Sequence, residues 1–170
     1  MFRRRDKDGP PNDVPGPADV YLGLRNQILN LEPATIGLAV APSSAPWGCV
    51  MDTGYPNGTA ILVCLSDGTT SLYTSSGFGI IGGGAHQAVV RENANLLAVL
   101  AEHEPEMSPS TDHALPSLGR TIIRALTAEG QRVFESAEDE LGEGRSPLSP
   151  VFHAAHGVIT QLRLIDEARR

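Results

Sequence analysis

The stretch Thr59-Ala-Ile-Leu-Val-Cys-Leu-Ser66, followed at once by Asp67-Gly68, decides the fold class of this chain. A short apolar run that is rich in branched residues predicts a β-strand rather than a helix. An Asp-Gly pair between two such runs indicates a hairpin, because a type I′ turn needs positive φ at both central residues. We therefore predict that Thr69-Thr-Ser-Leu-Tyr-Thr-Ser75 is the return strand.

A two-residue turn fixes which side chains of this hairpin face each other. It pairs Val63 with Leu72 and Leu62 with Tyr73. The first strand is apolar on both faces, which is typical of a central strand that is covered on both sides. The return strand is rich in Thr and Ser and fits a position near an edge of the sheet.

The glycine-rich segment Ser75-Ser-Gly-Phe-Gly-Ile-Ile-Gly-Gly-Gly84 joins the hairpin to a helix predicted over residues 85–102. Gly77 to Gly82 match G-x-G-x-x-G, a pattern that can bind a dinucleotide phosphate at a helix N-terminus. That fingerprint needs a parallel βαβ unit, whereas the strand here belongs to an antiparallel hairpin. We therefore expect the glycines to permit a sharp turn or a close approach to another backbone.

A ligand-binding role for the same segment is the alternative interpretation. His86 with Ser75 or Ser76 could form a nucleophile–base pair, but G-x-S-x-G is absent and no third member can be assigned. We assign no catalytic residue, no cofactor and no metal site, and favour a protein that is not an enzyme. The candidate ligand-binding residues are Ser75, Ser76, Gly77, Gly79, Gly82, Gly83, Gly84 and His86.

Two further helices and three strands are predicted outside this centre. The first helix runs from Pro17 to about Leu31, with an apolar face formed by Val20, Leu24, Ile28 and Leu31 and with Tyr21 beside that face. Asn93 lies in the apolar stripe of the helix over 85–102 and is interpreted as a hydrogen-bonded residue at the edge of the core. The other elements are strands Trp47–Asp52, Arg120–Thr127 (half-buried) and Arg132–Ser136, and a helix that begins at Ser146 or Ser149.

Several other residues receive structural interpretations. Asp52 precedes a turn at Tyr55-Pro-Asn-Gly58 and is read as a turn or capping residue. Residues 138–145 are read as a solvated acidic loop. Cys49 and Cys64 lie on neighbouring predicted strands and are read as buried thiols in a reducing compartment, which indicates a cytoplasmic protein.

Size and charge limit the classes of partner. We expect a single domain over 18–168 and a disordered, proline-rich leader over 1–17. No apolar run approaches the roughly 18 residues of a membrane helix. The formal charge of −7, from 13 basic and 20 acidic residues, argues against nucleic acid as the main ligand. Arg3-Arg4-Arg5 could dock on an acidic surface, but we expect a solvated tail.

The element order predicts an α+β fold with an antiparallel sheet of about five strands flanked by three helices. In outline this order resembles the roadblock/longin and profilin-like group, which implies an interaction module that is often dimeric. We therefore expect a non-catalytic protein-interaction module, with a protein partner or a second copy of the chain. This expectation also rests on the helices having more apolar faces than one small sheet can cover.

Overall fold

A computed structural model describes residues 16–39 and 45–170. Within these ranges four α-helices and seven β-strands follow one another in an α+β order. The helices are α1 (Pro17–Leu29), α2 (Gln87–His103), α3 (Glu138–Gly142) and α4 (Ser149–Ala168). The strands are β1 (Gly48–Tyr55), β2 (Gly58–Leu65), β3 (Thr70–Thr74), β4 (Gly79–Ile80), β5 (Ser108–Pro109), β6 (Arg120–Thr127) and β7 (Gly130–Ala137). Short 3₁₀ turns occupy Pro33–Ile36, Gly83–Ala85 and Glu104–Glu106.

All seven strands belong to one antiparallel sheet in the order β4-β3-β2-β1-β6-β7-β5. The predicted α+β class is confirmed, but the prediction of about five strands is wrong. The two additional strands, β4 and β5, are only two residues long and lie at the two edges. Sequence patterns miss such strands because two residues are too few to show an alternation of apolar and polar side chains.

One face of the sheet is covered by α2 and α4. Apolar side chains from β1, β2, β3 and β6 pack there against the apolar stripes of the two helices. Cys49 and Cys64 face each other across β1 and β2 in this core, and both are buried free thiols, as predicted. Asn93 on α2 is hydrogen-bonded as predicted, and it is fully buried: its Nδ2 donates to Leu65 O at 3.1 Å and to Thr70 Oγ1 at 2.8 Å.

The opposite face of the sheet is covered by α1. Tyr21, Ile28 and Leu29 of this helix pack against a second cluster of apolar side chains from the sheet. The predicted apolar face of α1 is wrong in part: Val20, which was placed on it, is 48% exposed, while Tyr21, which was placed beside it, is among the most buried residues of the helix.

The predicted register of the β2–β3 hairpin is wrong by one residue. Leu62 faces Leu72 and Ile61 faces Tyr73, so Leu72 and Tyr73 lie on the opposite faces from those expected. The turn has three residues rather than two: Gly68 N donates to Leu65 O, and Leu65 N donates to Thr69 O. Gly68 adopts φ +93°, which suits the third position of such a loop.

Other elements both confirm and correct the sequence analysis. The strand Arg120–Thr127 has the predicted bounds, but its six interior residues are all buried, so it is covered on both faces. The acidic segment 138–145, predicted to be a loop, contains α3. α4 begins at Ser149, one of its two predicted starts. Residues 1–15 of the predicted leader lie outside the described ranges, and Pro17 already belongs to α1.

Among the residues that the structure describes, none of the helices combines the length and apolarity that a bilayer-spanning segment requires.

Candidate functional site

The glycine-rich segment makes two sharp changes of direction between β3 and α2. Gly77 adopts φ +103° and its N–H donates to Thr74 O at 3.2 Å, which closes the turn between β3 and β4. Gly82 adopts φ +82° just after β4. Residues with a side chain rarely adopt these conformations, so the turns account for two of the five glycines between 77 and 84.

Gly83 and Gly84 are required by close packing. A Cβ on Gly83 would lie 2.6 Å from Leu162 Cδ2, and a Cβ on Gly84 would lie 2.6 Å from Gly68 O. Both distances are well below van der Waals contact. The backbone here is packed against α4 and the β2–β3 turn, which supports the structural interpretation of the glycines.

The polar residues of the segment form hydrogen bonds with three different groups. Ser75 Oγ accepts from Thr59 N at 3.0 Å, and Ser76 Oγ lies 2.9 Å from Thr74 Oγ1. His86 Nε2 lies 3.1 Å from Arg169 Nη2 at the end of α4. The structure therefore gives the two serines and His86 separate partners, and a ligand-binding role for the eight candidate residues stays a prediction.

A buried ionic cluster lies beneath α1, and the sequence analysis missed it. The carboxylate of Asp52 on β1 accepts from Arg124 Nη1 at 2.6 Å and from Arg25 Nη2 at 3.1 Å. Asp52 is fully buried, and the two arginines are only 1–2% exposed. The interpretation of Asp52 as a turn or capping residue is wrong, because β1 extends three residues beyond it to Tyr55.

The two arginines of this cluster also bind the segment that precedes β6. Arg25 donates to His113 O at 2.6 Å and to Ala114 O at 3.1 Å. Arg124 donates to the same Ala114 oxygen at 3.2 Å. Burial lowers the pKa of Arg124, against the opposing effect of Asp52. The cluster thus joins α1, β1, β6 and residues 113–114 through charged groups that are removed from water.

An apolar groove runs along one flank of α1, which we call the α1–β4 groove. It consists of two adjoining cavities of about 320 and 300 Å³ that share Leu24, Tyr73 and Ile81. Ile81 is 69% exposed and Phe78 is 40% exposed, so both present large apolar surface to solvent. Asp67 is the one charged residue among the described residues that line the two cavities.

A second, more polar cavity of about 560 Å³ lies at the C-terminal end of α1, and we call it the Trp47 pocket. Its walls come from the end of α1 and the following residues, from Trp47, from the β6–β7 turn, and from Ser110, Thr111 and His113. Gln131 Nε2 donates to Leu29 O at 2.7 Å and so joins β7 to the end of α1.

Comparisons with protein-family models, with curated proteins and with solved structures find no match. The resemblance to the roadblock/longin and profilin-like group therefore rests on element order alone. Within residues 16–39 and 45–170, no group of three or more His, Cys, Asp or Glu side chains is arranged to hold a metal ion.

The sequence did contain a signal for the ionic cluster. Arg25 stands four residues after Tyr21 and three before Ile28, so it shares the face of α1 that packs on the sheet. Arg124 and Asp52 each stand within a segment of mostly apolar residues. Opposite charges at inward-facing positions of separate elements favour a buried ion pair, because a lone buried charge is too costly.

Proposed function

We propose that this chain is a non-catalytic interaction module that forms a homodimer through the α1–β4 groove. The observation that carries the proposal is Ile81, which is 69% exposed beside an apolar groove. Contiguous apolar surface of this kind is typical of protein–protein contacts rather than of a free surface. The nearly uncharged lining is notable in a chain whose formal charge is −7.

A second copy of the chain is the occupant that suits this surface best. A twofold interface uses the same patch on both subunits, so the patch must be complementary to itself. The groove meets this requirement because it combines protruding side chains, Ile81 and Phe78, with two cavities that an apolar side chain can enter. In the proposed dimer, Ile81 of each subunit inserts into the groove of the other.

The cytoplasm is the proposed compartment of this module. Cys49 and Cys64 are direct neighbours across β1 and β2, and both are free thiols. Neighbouring thiols that stay unbridged are typical of a reducing compartment.

The test is the oligomeric state measured by sedimentation velocity over a concentration series. We expect the wild-type chain to dimerise and Ile81→Asp to shift the dissociation constant by about a hundredfold or more, since a charge would be buried in an apolar contact. Leu118→Asp is the matched control, because Leu118 is 67% exposed and does not line the groove. It should dimerise like the wild type.

Salt provides an independent readout. Two copies with a formal charge of −7 repel each other, so raising the salt concentration should strengthen an apolar dimer by screening that repulsion. A wild-type chain that stays monomeric up to high micromolar concentration would refute the proposal. Equal loss of dimer in the two Asp variants would also refute it, because the contact would then not involve the groove.

A further inference from the structure

Strand β4 forms one edge of the sheet, and the backbone on its outer side is open. The Thr74 N–H donates to Phe78 O at 2.8 Å, so β4 bonds inwards to β3 at Phe78 and again at Ile80. The bonds of an antiparallel ladder alternate along a strand, and the N–H and C=O groups of Gly79 and Ile81 therefore point away from β3. Gly79 and Ile81 are both exposed, and no described residue bonds to these outward groups.

This edge lacks the features that normally keep an open strand from pairing with another chain. Exposed edge strands usually carry charged residues or proline, but the segment from Ser75 to Ala85 contains neither. Gly79 is also not required by the fold. Its φ lies outside the left-handed region, and a Cβ there would lie 3.6 Å from Tyr73 Cβ, an ordinary contact distance. A glycine within a strand often marks a place where another backbone approaches closely.

We infer that two copies of the chain pair through β4 in antiparallel orientation and so join their two sheets into one continuous sheet. The inference rests on the proposed homodimer and specifies its backbone contact. A twofold axis at Ile80 places this residue opposite its own equivalent, and places Gly79 opposite Ile81 of the partner subunit. Residues that face each other through outward groups exchange two N–H···O bonds, so the two Gly79–Ile81 pairs place four hydrogen bonds across the interface.

The side chains agree with this register. Tyr73, which is paired with Gly79, belongs to the apolar cluster beneath α1, so Gly79 and Ile81 lie on the face of the sheet that α1 covers. Ile81 of the partner subunit therefore stands beside Gly79, which lines the α1–β4 groove and has no side chain to obstruct it. The paired segments carry no charge, so two chains with a formal charge of −7 meet there without opposing like charges.

The first test measures hydrogen exchange of single amides by NMR at concentrations below and above the dimer dissociation constant. The N–H groups of Gly79 and Ile81 should exchange at least about tenfold more slowly in the dimer, because they are hydrogen-bonded only there. The N–H of Ile80 bonds to β3 in both states and is the internal control. Its exchange should change much less.

The second test removes a backbone donor without adding a charge. Gly79→Pro deletes the outward N–H, and proline is tolerated where an edge strand faces solvent. It should weaken dimerisation about a hundredfold in sedimentation velocity, because each subunit loses one bond and the ring lies between the strands. Gly79→Ala keeps the N–H and should weaken dimerisation by less than about tenfold. Urea unfolding checks that both variants keep a folded subunit.

A disulfide tests the register. Facing residues of a pair without ladder bonds have Cα atoms about 4.5 Å apart, which a disulfide can span. Ile80→Cys should therefore form a covalent dimer under mild oxidation. Ser76→Cys is exposed but lies away from the axis, and it should stay unlinked. The wild type is the second control, since its Cys49 and Cys64 are buried.

The results separate the strand pairing from the proposed dimer itself. A chain that dimerises while the Gly79 and Ile81 amides stay unprotected would overturn the pairing and leave the groove dimer standing. Equal dimerisation of Gly79→Pro and the wild type would have the same meaning. Linkage of Ser76→Cys but not of Ile80→Cys would overturn the register, and a chain that stays monomeric would refute the dimer and the pairing together.

Discussion

The substitution Asp52→Asn tests how the helix α1 is held on the sheet. It keeps the size of the side chain but removes the negative charge that lies 2.6 Å from Arg124 Nη1 and 3.1 Å from Arg25 Nη2. Two buried guanidinium groups would then remain without a counter-ion. Removing one partner of a buried ion pair costs about 3–5 kcal/mol, mainly because the charge left behind is not solvated.

This cost converts into a measurable shift in urea unfolding. With a denaturant dependence of about 2 kcal/mol per M, a loss of about 3–5 kcal/mol lowers the urea midpoint by about 1.5–2.5 M. Typical domains are stable by about 5–15 kcal/mol, so the variant should remain folded in buffer or lie close to its limit. Fluorescence of Trp47, which is buried, follows the transition.

Arg25→Met is the informative comparison. It leaves the Arg124–Asp52 pair intact as one positive and one negative charge. Ala114 O also keeps its bond from Arg124, although His113 O loses the bond from Arg25. We expect a loss of about 1–3 kcal/mol, smaller than that of Asp52→Asn.

A double variant separates charge from packing. Adding Arg124→Met to Asp52→Asn removes one of the two uncompensated charges. The double variant should therefore lose less free energy of unfolding than the sum of the losses of Asp52→Asn and Arg124→Met measured separately. Additive losses, or a larger loss for Arg25→Met than for Asp52→Asn, would refute the argument that uncompensated charge is the dominant cost.

Two further predictions concern other parts of the fold. Gly84→Ala places a Cβ 2.6 Å from Gly68 O and should lower the free energy of unfolding by about 1–3 kcal/mol. Gly23→Ala on α1 meets no atom within 4 Å and should raise the free energy of unfolding by about 0.5–1 kcal/mol. Equal effects of the two substitutions in urea unfolding would contradict the packing argument. Burial, and secondarily Arg163, lowers the pKa of His156. Below about pH 6.5 the unfolded chain therefore takes up a proton more readily than the folded one, and the wild type should lose stability relative to His156→Gln. If the urea midpoint changed by the same amount between about pH 7.5 and pH 5.5 in the wild type and in His156→Gln, the prediction would be contradicted.

The long elements were predictable because each carries its own local pattern. The strand Arg120–Thr127 was predicted with its observed bounds, and α2 begins and ends within about two residues of its prediction. The register of the β2–β3 hairpin was not predictable, since Asp67-Gly68 fits both a two-residue and a three-residue loop. The bond from Thr69 N to Asp67 Oδ1 and the turn at Leu65–Gly68 stabilise the three-residue form.

The candidate sites were harder to predict because their parts are distant in the sequence. Asp52 and Arg124 are 72 positions apart, and Gln131 and Leu29 are 102 apart. No local pattern reports which inward-facing residues of separate elements meet, and the pairing depends on strand order. The sequence drew attention to the glycine segment, because the close spacing of its glycines is visible locally, while Ile81 within that segment gave no signal of its exposure.

The geometry of the sheet explains why the α1–β4 groove and the Trp47 pocket both border α1. Five long strands at a spacing of about 4.8 Å span roughly 19 Å, and a helix with its side chains is about 10 Å wide. Two helices, α2 and α4, therefore cover one face, whereas α1 alone covers about half of the other. No neighbouring helix packs beside α1 to hold it in place on this face. The buried ion pair between Arg25 of α1 and Asp52 of β1 fixes the position of the helix on the sheet. The uncovered strip along one flank of α1 is the α1–β4 groove, and the Trp47 pocket opens where the same helix ends, so the width and the length of one helix set the boundaries of both cavities.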